Sequence, residues 1–268
     1  MKHKKDQDTT TSGPNLSPEE HNLPAKQENN LPATMSAADV KQMYGDLGTD
    51  DITVPRLTVL QGLSPEVADG MGRPGNLFIK GMNQELGKEL EFVPLLRSKT
   101  RIRWNPLQEG GGIRCQSFDG KQGQGDPGVE CATCELSTWK GAVAPVCDLY
   151  ENVIVMIRGA EDPIPMALSG SRTKLKALRD LNTLFMTQQL KQRPLYMKSY
   201  ILMVIEKTNK ANLKYFSFKV KPGNNNAILP AEEISQYETI YNSIKGKNLV
   251  VQQENSKEEQ IVDNNTEL

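Results

Sequence analysis

The chain has 268 residues, a formal net charge of -1, 37% hydrophobic residues and a mean hydropathy of -0.53. This length is sufficient for one sizeable core with polar appendages. The sequence has no apolar run long enough to span a bilayer, and its basic start, MKHKK, is not followed by the apolar segment of a signal peptide. We therefore expect a soluble, cytoplasmic protein without a membrane partner.

Charge is segregated along the chain. Residues 153–225 contain thirteen Lys and Arg against four Asp and Glu, whereas residues 252–268 contain five acidic residues against one Lys. A basic body with an acidic end is typical of proteins that bind polyanions; a solvated surface with a solubilising tail is the alternative. We predict a disordered leader at 1–35, one domain at 36–251 and an acidic C-terminal tail at 252–268 that contacts replication or recombination proteins.

Short elements fill the N-terminal half of the predicted domain. Residues 36–48 predict a short helix with Ser36 as its N-cap. The stretch ITVPRLTVLQG at 52–62 predicts an edge strand or two extended pieces divided by Pro55. Strand-like runs then lie on either side of a turn near 83–87.

Strands and helices alternate in the C-terminal half. Strand-like runs at 148–157 and 163–169 precede a helix at 172–189, in which apolar residues recur at helical spacing. A hairpin with its turn around Asn209–Asn212 follows, and a last helix starts at Pro230. Strands, one helix and then a hairpin is the order expected of an OB-type barrel. We therefore predict a mainly β fold with helices, an OB-fold-like β-barrel that carries an insertion and has disordered termini.

All four cysteines lie in that polar, glycine-rich insertion at 108–148, with the spacing C-x15-C-x2-C-x12-C. A reducing cytosol disfavours disulfides, and a C-x2-C pair suits a tetrahedral zinc ion whose shell the two outer thiolates can complete. The sequence therefore predicts a structural zinc ion that supplies folding energy to the insertion. The predicted ligands are Cys115, Cys131, Cys134 and Cys147.

Other readings of the cysteines remain open. The two histidines, His3 and His21, both lie in the leader, so a catalytic zinc site with an open position is not expected. A redox-active C-x2-C pair and thiols without metal are the alternatives. The βαβ pattern that ordinarily surrounds a thioredoxin-like motif is not found around Cys131, which disfavours the redox alternative.

Several stretches resemble a family of tailed-phage proteins. They are VPRLTVLQGLSPEV, EFVPLLRSKTRIRWNP, GGGIRCQSFDG and CATCELSTW, which carry Pro-Arg-Leu, Gly-Gly-Gly-Ile-x-Cys and Cys-x-x-Cys elements within residues 52–160. In architecture, the predicted barrel, helix and acidic tail are also similar to phage single-stranded DNA-binding proteins, some of which carry a structural zinc inserted in an OB-fold. The first resemblance implies a phage protein that works in the bacterial host cytoplasm; the second raises the expectation of single-stranded DNA as its ligand.

Basic residues recur at every second position of RSKTRIRW. A strand sends alternate side chains to one face with a repeat of roughly 6.6 Å, comparable to the phosphate spacing of an extended single strand. A charged edge strand that resists aggregation is the alternative. We call these four basic residues the arginine ladder; it consists of Arg97, Lys99, Arg101 and Arg103. Trp104, next to it in the sequence, is a further predicted DNA contact.

A second basic and aromatic stretch is LKYFSFKVK. Alternation places Tyr215, Lys219 and Lys221 on one face of a strand and the expected core phenylalanines on the other. Tyr215 is therefore the predicted platform for base stacking. Lys174, at the start of the preceding helix, is predicted to extend the binding groove; a solvated surface lysine is the alternative.

Enzyme signatures are lacking in the sequence: it has no phosphate-binding G-x-x-x-x-G-K-[ST], no G-x-S-x-G, no H-E-x-x-H and no histidine in the predicted core. We predict a protein without enzymatic activity that coats single-stranded DNA in phage replication or recombination, as a monomer or an oligomer. Two alternatives remain open. One is a zinc-stabilised protein–protein adaptor, and the other is a regulator that binds duplex DNA through the insertion.

Overall fold

A computed structural model describes residues 53–106, 109, 111–161, 163–209, 212–247 and 249–251. The predicted leader, the predicted helix at 36–48 and the predicted acidic tail lie outside these ranges. None of the helices within them is long and apolar enough to cross a membrane.

The described residues form twelve β-strands, three α-helices and four short 3-10 turns. The strands are β1 (Thr53–Val54), β2 (Arg56–Val59), β3 (Leu77–Lys80), β4 (Gln84–Gly87), β5 (Glu89–Trp104), β6 (Ile113–Ser117), β7 (Gln124–Gly125), β8 (Asp148–Ile157), β9 (Met166–Ser171), β10 (Tyr200–Thr208), β11 (Lys214–Pro222) and β12 (Val250–Val251). The α-helices are α1 (Pro65–Ala68), α2 (Leu175–Leu190) and α3 (Ala231–Ile244). The 3-10 turns are Glu135–Ser137, Arg172–Lys174, Leu195–Met197 and Asn224–Asn226.

Ten of these strands form one sheet, whose main path runs β11-β10-β5-β8-β9-β2-β3-β4. The strand β6 also pairs with β5, and β7 pairs with β6. Neighbouring strands in this sheet are antiparallel except β2 and β9, which are parallel. The mainly β prediction is therefore confirmed, with β1 and β12 forming a separate parallel pair.

Several element boundaries differ from the sequence prediction. Pro55 does divide its segment into two pieces, but β2 is an interior strand between β3 and β9 rather than an edge. The second run after the turn begins at Gln84, earlier than predicted. Pro230 is the residue that precedes α3 rather than its first residue. The hairpin of β10 and β11 is confirmed, with nine residue pairs from Tyr200–Pro222 to Thr208–Lys214.

The sheet curls so that its β11 edge approaches the segment that follows β2. The Gln61 side chain bridges the two, since its Nε2 donates to the Phe216 carbonyl at 2.9 Å and its Oε1 accepts from the Phe216 N–H at 2.9 Å. Gly75 has a φ of +81°, and a Cβ there would lie 2.8 Å from the Phe216 ring. This close approach makes the sheet barrel-like.

The first hydrophobic core fills the concave side of this curl. Side chains from the strands meet the apolar face of α2, where Leu178, Leu181 and Phe185 are almost completely buried. The Phe185 ring packs edge-on against Tyr200, with ring centroids 5.4 Å apart, and burial raises the pKa of the Tyr200 hydroxyl to about 12. The helical spacing in the sequence thus correctly identified the core face of α2.

The second hydrophobic core lies on the other face of the sheet, beneath α3. Tyr237 and its neighbours on this helix pack against Leu95 of β5 and Ile154 of β8. The predicted apolar face of the last helix is therefore a packing face, as expected from its spacing. Burying both faces of the central strands explains why β8 reads as a continuous apolar run from Val153 to Ile157.

A β-bulge in β5 decides which of these faces each side chain joins. Val93 pairs with Met156 before the bulge, and Leu96 pairs with Ile154 after it, so Leu95 is the extra residue. Inserting one residue exchanges the faces of all that follow. Pro94, which has no N–H to donate, occupies the position next to the bulge, where a central strand tolerates proline.

Arg158 ties α3 to the sheet. Its guanidinium donates from Nε and Nη2 to the two Glu233 carboxylate oxygens, each at 2.9 Å, and from Nη1 to Glu91 Oε1 at 2.9 Å. Because the hydrogen bonds from Arg158 favour the ionised form, the pKa of Glu233 is lowered from its ordinary value of 4.5. The side chains are each less than one-third exposed, so solvent screens these pairs only in part.

We expect Arg158→Ala to lower the free energy of unfolding by about 1–3 kcal/mol, because it leaves two half-buried carboxylates without their cation. The stabilisation through Glu233 is present above pH 4.5 and is lost as the pH falls through the lowered pKa. Urea denaturation of both proteins at pH 7 and at pH 3.5–4 measures this. An undiminished difference between the two proteins at the lower pH would contradict the assignment.

Candidate nucleic-acid interface and cysteine cluster

The four cysteines come from three parts of the insertion. Cys115 lies in β6 opposite Gly125, Cys131 and Cys134 flank a tight turn, and Cys147 immediately precedes β8. Backbone hydrogen bonds bring these parts together. The Cys131 N–H donates to the Lys121 carbonyl at 2.6 Å, and the Cys147 N–H donates to the Leu136 carbonyl at 2.9 Å.

Ser137 holds the turn between Cys131 and Cys134 in shape. Its buried hydroxyl donates to the Cys131 carbonyl and lies 2.9 Å from the Cys134 carbonyl, which also accepts from the Ser137 N–H at 3.0 Å. The sequence analysis did not identify this serine. Its position three residues after a C-x2-C pair was the available signal, since Ser side chains commonly bond to nearby backbone in turns.

The thiols are grouped and mostly buried, Cys134 being the partly exposed one. Burial raises the pKa of the Cys147 thiol to about 11; the positive charge of Arg101 opposes this effect, and the other three thiols add to it. Among the described residues, no three side chains of His, Cys, Asp or Glu converge closely enough to hold a metal ion as they stand. The four sulfurs therefore lie in one neighbourhood but have not converged on a common point.

The arginine ladder has the predicted alternation, and its strand register is clear. Arg97, Lys99 and Arg101 pair with Val153, Glu151 and Leu149 of β8. Because directly paired residues project to the same face, and Val153 belongs to the first core, the ladder faces the side of the sheet that carries α2. Arg97 forms an ion pair with the buried Glu151, which also accepts a hydrogen bond from Asn182 of α2.

Two further ladder residues contact the insertion. Arg101 Nη1 donates to the Ser137 carbonyl at 3.3 Å, and Arg103 Nη1 donates to the Asp126 carbonyl at 3.3 Å and lies 3.7 Å from its carboxylate. Arg114 binds the same carboxylate at 2.7 Å, and this hydrogen bond is the main reason that the pKa of Asp126 is lowered. The ladder thus anchors the insertion to β5, a role that alternation alone could not indicate.

The β10–β11 hairpin presents the other predicted group. Tyr215, Lys219 and Lys221 lie on one face of β11, and Phe218 on the opposite face is buried in the first core, as predicted. Directly opposite them on β10 lie Lys207, Met203 and Ile201. We define this surface as the hairpin face. It consists of Ile201, Met203, Ile205, Lys207, Tyr215, Lys219 and Lys221, with the buried Ser217 between Tyr215 and Lys219.

The structure does not bring all predicted contacts together. The arginine ladder lies on the face of the sheet that carries the first core, whereas the hairpin face lies on the other. The two groups of predicted contacts are therefore on opposite faces of the sheet. Trp104 is the half-buried last residue of β5, paired with Ile113, and Lys174 lies in the 3-10 turn before α2. Whether any of these residues contacts DNA stays a prediction.

A family model described as Pam3 phage gp34-like protein matches residues 25–257. No curated protein and no solved structure matches the chain. The match spans every described element and both candidate surfaces.

We expect Arg101→Gln combined with Arg103→Gln to loosen the insertion, because the two changes remove its side-chain anchors on β5. Limited proteolysis of the full chain should then cut within residues 111–147 several times faster than in the wild-type protein, while the barrel remains protected. The matched variant carries Lys245→Gln and Lys247→Gln, which make the same charge change on the segment after α3. Equal cleavage of the insertion in all three proteins would exclude the anchoring role.

Proposed function

This chain belongs to the Pam3 phage gp34-like protein family, and from that premise we propose that it coats single-stranded DNA during phage replication or recombination. It does so as a binding protein without enzymatic activity, in the cytoplasm of the bacterial host. The acidic tail, residues 252–268, lies outside the described residues and stays a predicted contact for replication or recombination proteins.

The strand order supports an OB-type barrel as the scaffold. Taken in chain order, the long strands are β5, β8, β9, β10 and β11, and α2 lies between the third and the fourth. Their order in the sheet is β11-β10-β5-β8-β9, that is, fifth, fourth, first, second and third in the chain. This is the Greek-key arrangement of that barrel. The β2–β3–β4 unit is an addition, since it lies beside β9 and approaches β11, where a simple OB barrel would close directly.

The usual ligand face of an OB barrel is covered in this protein. That face is centred on the second and third strands, here β8 and β9. Ile154 and Ala167 on these strands are buried in the second core under α3, and Asn152 and Ser169 are also fully buried. DNA binding therefore requires another surface, and the hairpin face is the part of the barrel that fits it best.

The observation that carries the proposal is the set of unpaired charges on the hairpin face. Within the described part of the chain, Lys207, Lys219 and Lys221 have no carboxylate partner. Lys219 and Lys221 are exposed and project from the same face at a repeat of roughly 6.6 Å. Lysines beside a half-exposed tyrosine are the combination with which single-strand binders track phosphates and stack bases.

The rest of the hairpin face is compatible with stacked bases. Ile201, Met203 and Ile205 are half-buried and belong to neither hydrophobic core. Met203 and Ile201 lie directly across from Lys219 and Lys221, and Tyr215 lies directly across from Lys207. A single strand laid along β11 would thus meet Tyr215 and the two lysines, with the apolar side chains of β10 beside them.

The cysteine cluster fits a structural zinc ion by its donor chemistry. The four thiols can fill all four positions of a tetrahedral zinc ion, and the described residues contain no histidine. Such a site suits a structural rather than a catalytic ion. We infer that Cys115, Cys131, Cys134 and Cys147 hold it as thiolates, with Ser137 fixing the turn and the positive charge of Arg101 favouring the ionised form of Cys147. The ion would supply the folding energy that a polar, glycine-rich insertion lacks.

We expect Lys219→Gln combined with Lys221→Gln to weaken binding to labelled oligo-dT. Each lost phosphate contact should reduce the slope of log affinity against log salt by about 0.7. Fluorescence anisotropy at several salt concentrations measures both quantities. The Lys245→Gln, Lys247→Gln variant is the matched control, because it removes equal charge away from the hairpin face.

The same titrations separate the alternatives. Preference for oligo-dT over a duplex of equal length supports the proposal, whereas preference for the duplex supports a duplex-binding regulator. Absence of binding to either supports the adaptor. An unchanged salt slope in the folded Lys219→Gln, Lys221→Gln variant would remove the hairpin face from the interface.

For the metal, we expect purified full-length protein to contain about one zinc ion per chain by elemental analysis. Cys131→Ser should reduce this content and expose residues 111–147 to protease before the barrel unfolds. Metal-free protein whose folded thiols react with a thiol reagent at ordinary rates would contradict the zinc assignment.

A further inference from the structure

Trp139 is the most exposed aromatic residue of the insertion. Its side chain is 67% exposed, although tryptophan usually buries most of its surface. It belongs to neither hydrophobic core. An indole in this position has a face available for another flat molecule.

Hydrogen bonds order the backbone on both sides of Trp139. Lys140 and Val143 exchange two backbone hydrogen bonds of 3.2 and 3.1 Å, which close a tight turn immediately after the indole. On the preceding side, Thr138 Oγ1 donates to the Glu135 carbonyl at 3.3 Å, and Ser137 is bound to the C-x2-C turn. Because the backbone on both sides of the indole is already ordered, stacking of a ligand on it costs little backbone entropy.

Three basic residues border the base of this segment. Arg101 reaches the Ser137 carbonyl, two residues before Trp139. The Lys121 carbonyl binds the N–H of Cys131, whose own carbonyl accepts from Ser137. Lys99 lies against the backbone next to Lys121, because a Cβ on Gly120 would be 3.1 Å from the Lys99 Cβ. None of these three cations has a carboxylate partner among the residues that the structure describes.

We propose that Trp139 stacks on a base of single-stranded nucleic acid whose phosphates are bound by Lys99, Arg101 and Lys121. This site deepens the proposed function and rests on it. It gives the insertion a direct part in binding, in addition to its anchoring on β5. The insertion connects the first and second long strands, and in OB-type barrels this connection commonly contacts oligonucleotides.

Nucleic acid fits this surface better than a protein partner does. The exposed apolar neighbours in the same segment are Val143 and Val146, two small side chains beside one indole. A protein-docking core would normally be larger and depleted in charge, whereas three basic residues border the segment that presents this indole. An aromatic platform with adjacent phosphate-binding cations is the arrangement of single-strand binding sites.

The test uses the full chain and oligo-dT. We expect Trp139→Ala to weaken binding by about fivefold to a hundredfold, the fold-change that corresponds to the loss of one stacked base. The salt slope should stay unchanged, because the indole makes no phosphate contact. Trp139→Phe should retain most of the affinity, since a phenyl ring still stacks. In Trp139→Phe, the quenching of Trp139 fluorescence by oligo-dT should be lost, so that only a change in Trp104 fluorescence remains.

Leu190→Ala on α2 is the matched control. Leu190 is an 80% exposed apolar side chain outside the insertion, so this substitution should leave the affinity for oligo-dT unchanged. Circular dichroism and thermal melting verify that each variant is folded. Wild-type affinity in folded Trp139→Ala, with undiminished quenching in Trp139→Phe, would overturn this inference and leave the proposed function standing. Failure of the wild-type protein to bind oligo-dT would overturn both.

Discussion

The β-bulge at Leu95 is the constraint on which the arrangement of both surfaces depends. A strand of sixteen residues would ordinarily keep one set of alternate side chains on one face throughout. The extra residue places both Leu95 and Leu96 under α3 and turns the following basic residues toward the side of α2. The first part of β5 therefore pairs with β10 and supports the hairpin face, while its last part carries the basic residues that bind the insertion.

This division gives the charges two different physical roles. On the ladder, Arg97 and Arg103 are neutralised by Glu151 and Asp126 and contribute to internal order, whereas Arg101 binds a backbone carbonyl and, with Lys99, has no carboxylate partner in the described structure. On the hairpin face, the lysines have no carboxylate partner in the described structure and remain available to an external polyanion. The net charge of a segment did not distinguish the two roles, whereas the contacts of the individual side chains do.

The sequence was most informative where local chemistry decides the structure. The apolar periodicity of α2 and α3 and the alternation in β11 each indicated the correct buried face, because burial follows directly from spacing. The bulge was not predictable, since nothing in VPLLRS fixes which residue is left unpaired. The interior position of β2 was also missed, because parallel pairing with β9 joins residues more than a hundred positions apart. Ser137 and the ion pair of Arg97 depend on tertiary contacts of the same long-range kind.

The central claim is that single-stranded DNA lies along the hairpin face. Photochemical cross-linking of the full chain to oligonucleotides that carry 5-iodouracil, followed by mass spectrometry of the cross-linked peptides, tests it most directly. The account predicts cross-links to Tyr215 within β11, and their loss when unlabelled oligo-dT competes. Cross-links confined to α3 or to the β2–β4 strands, with none in β10 or β11, would contradict it.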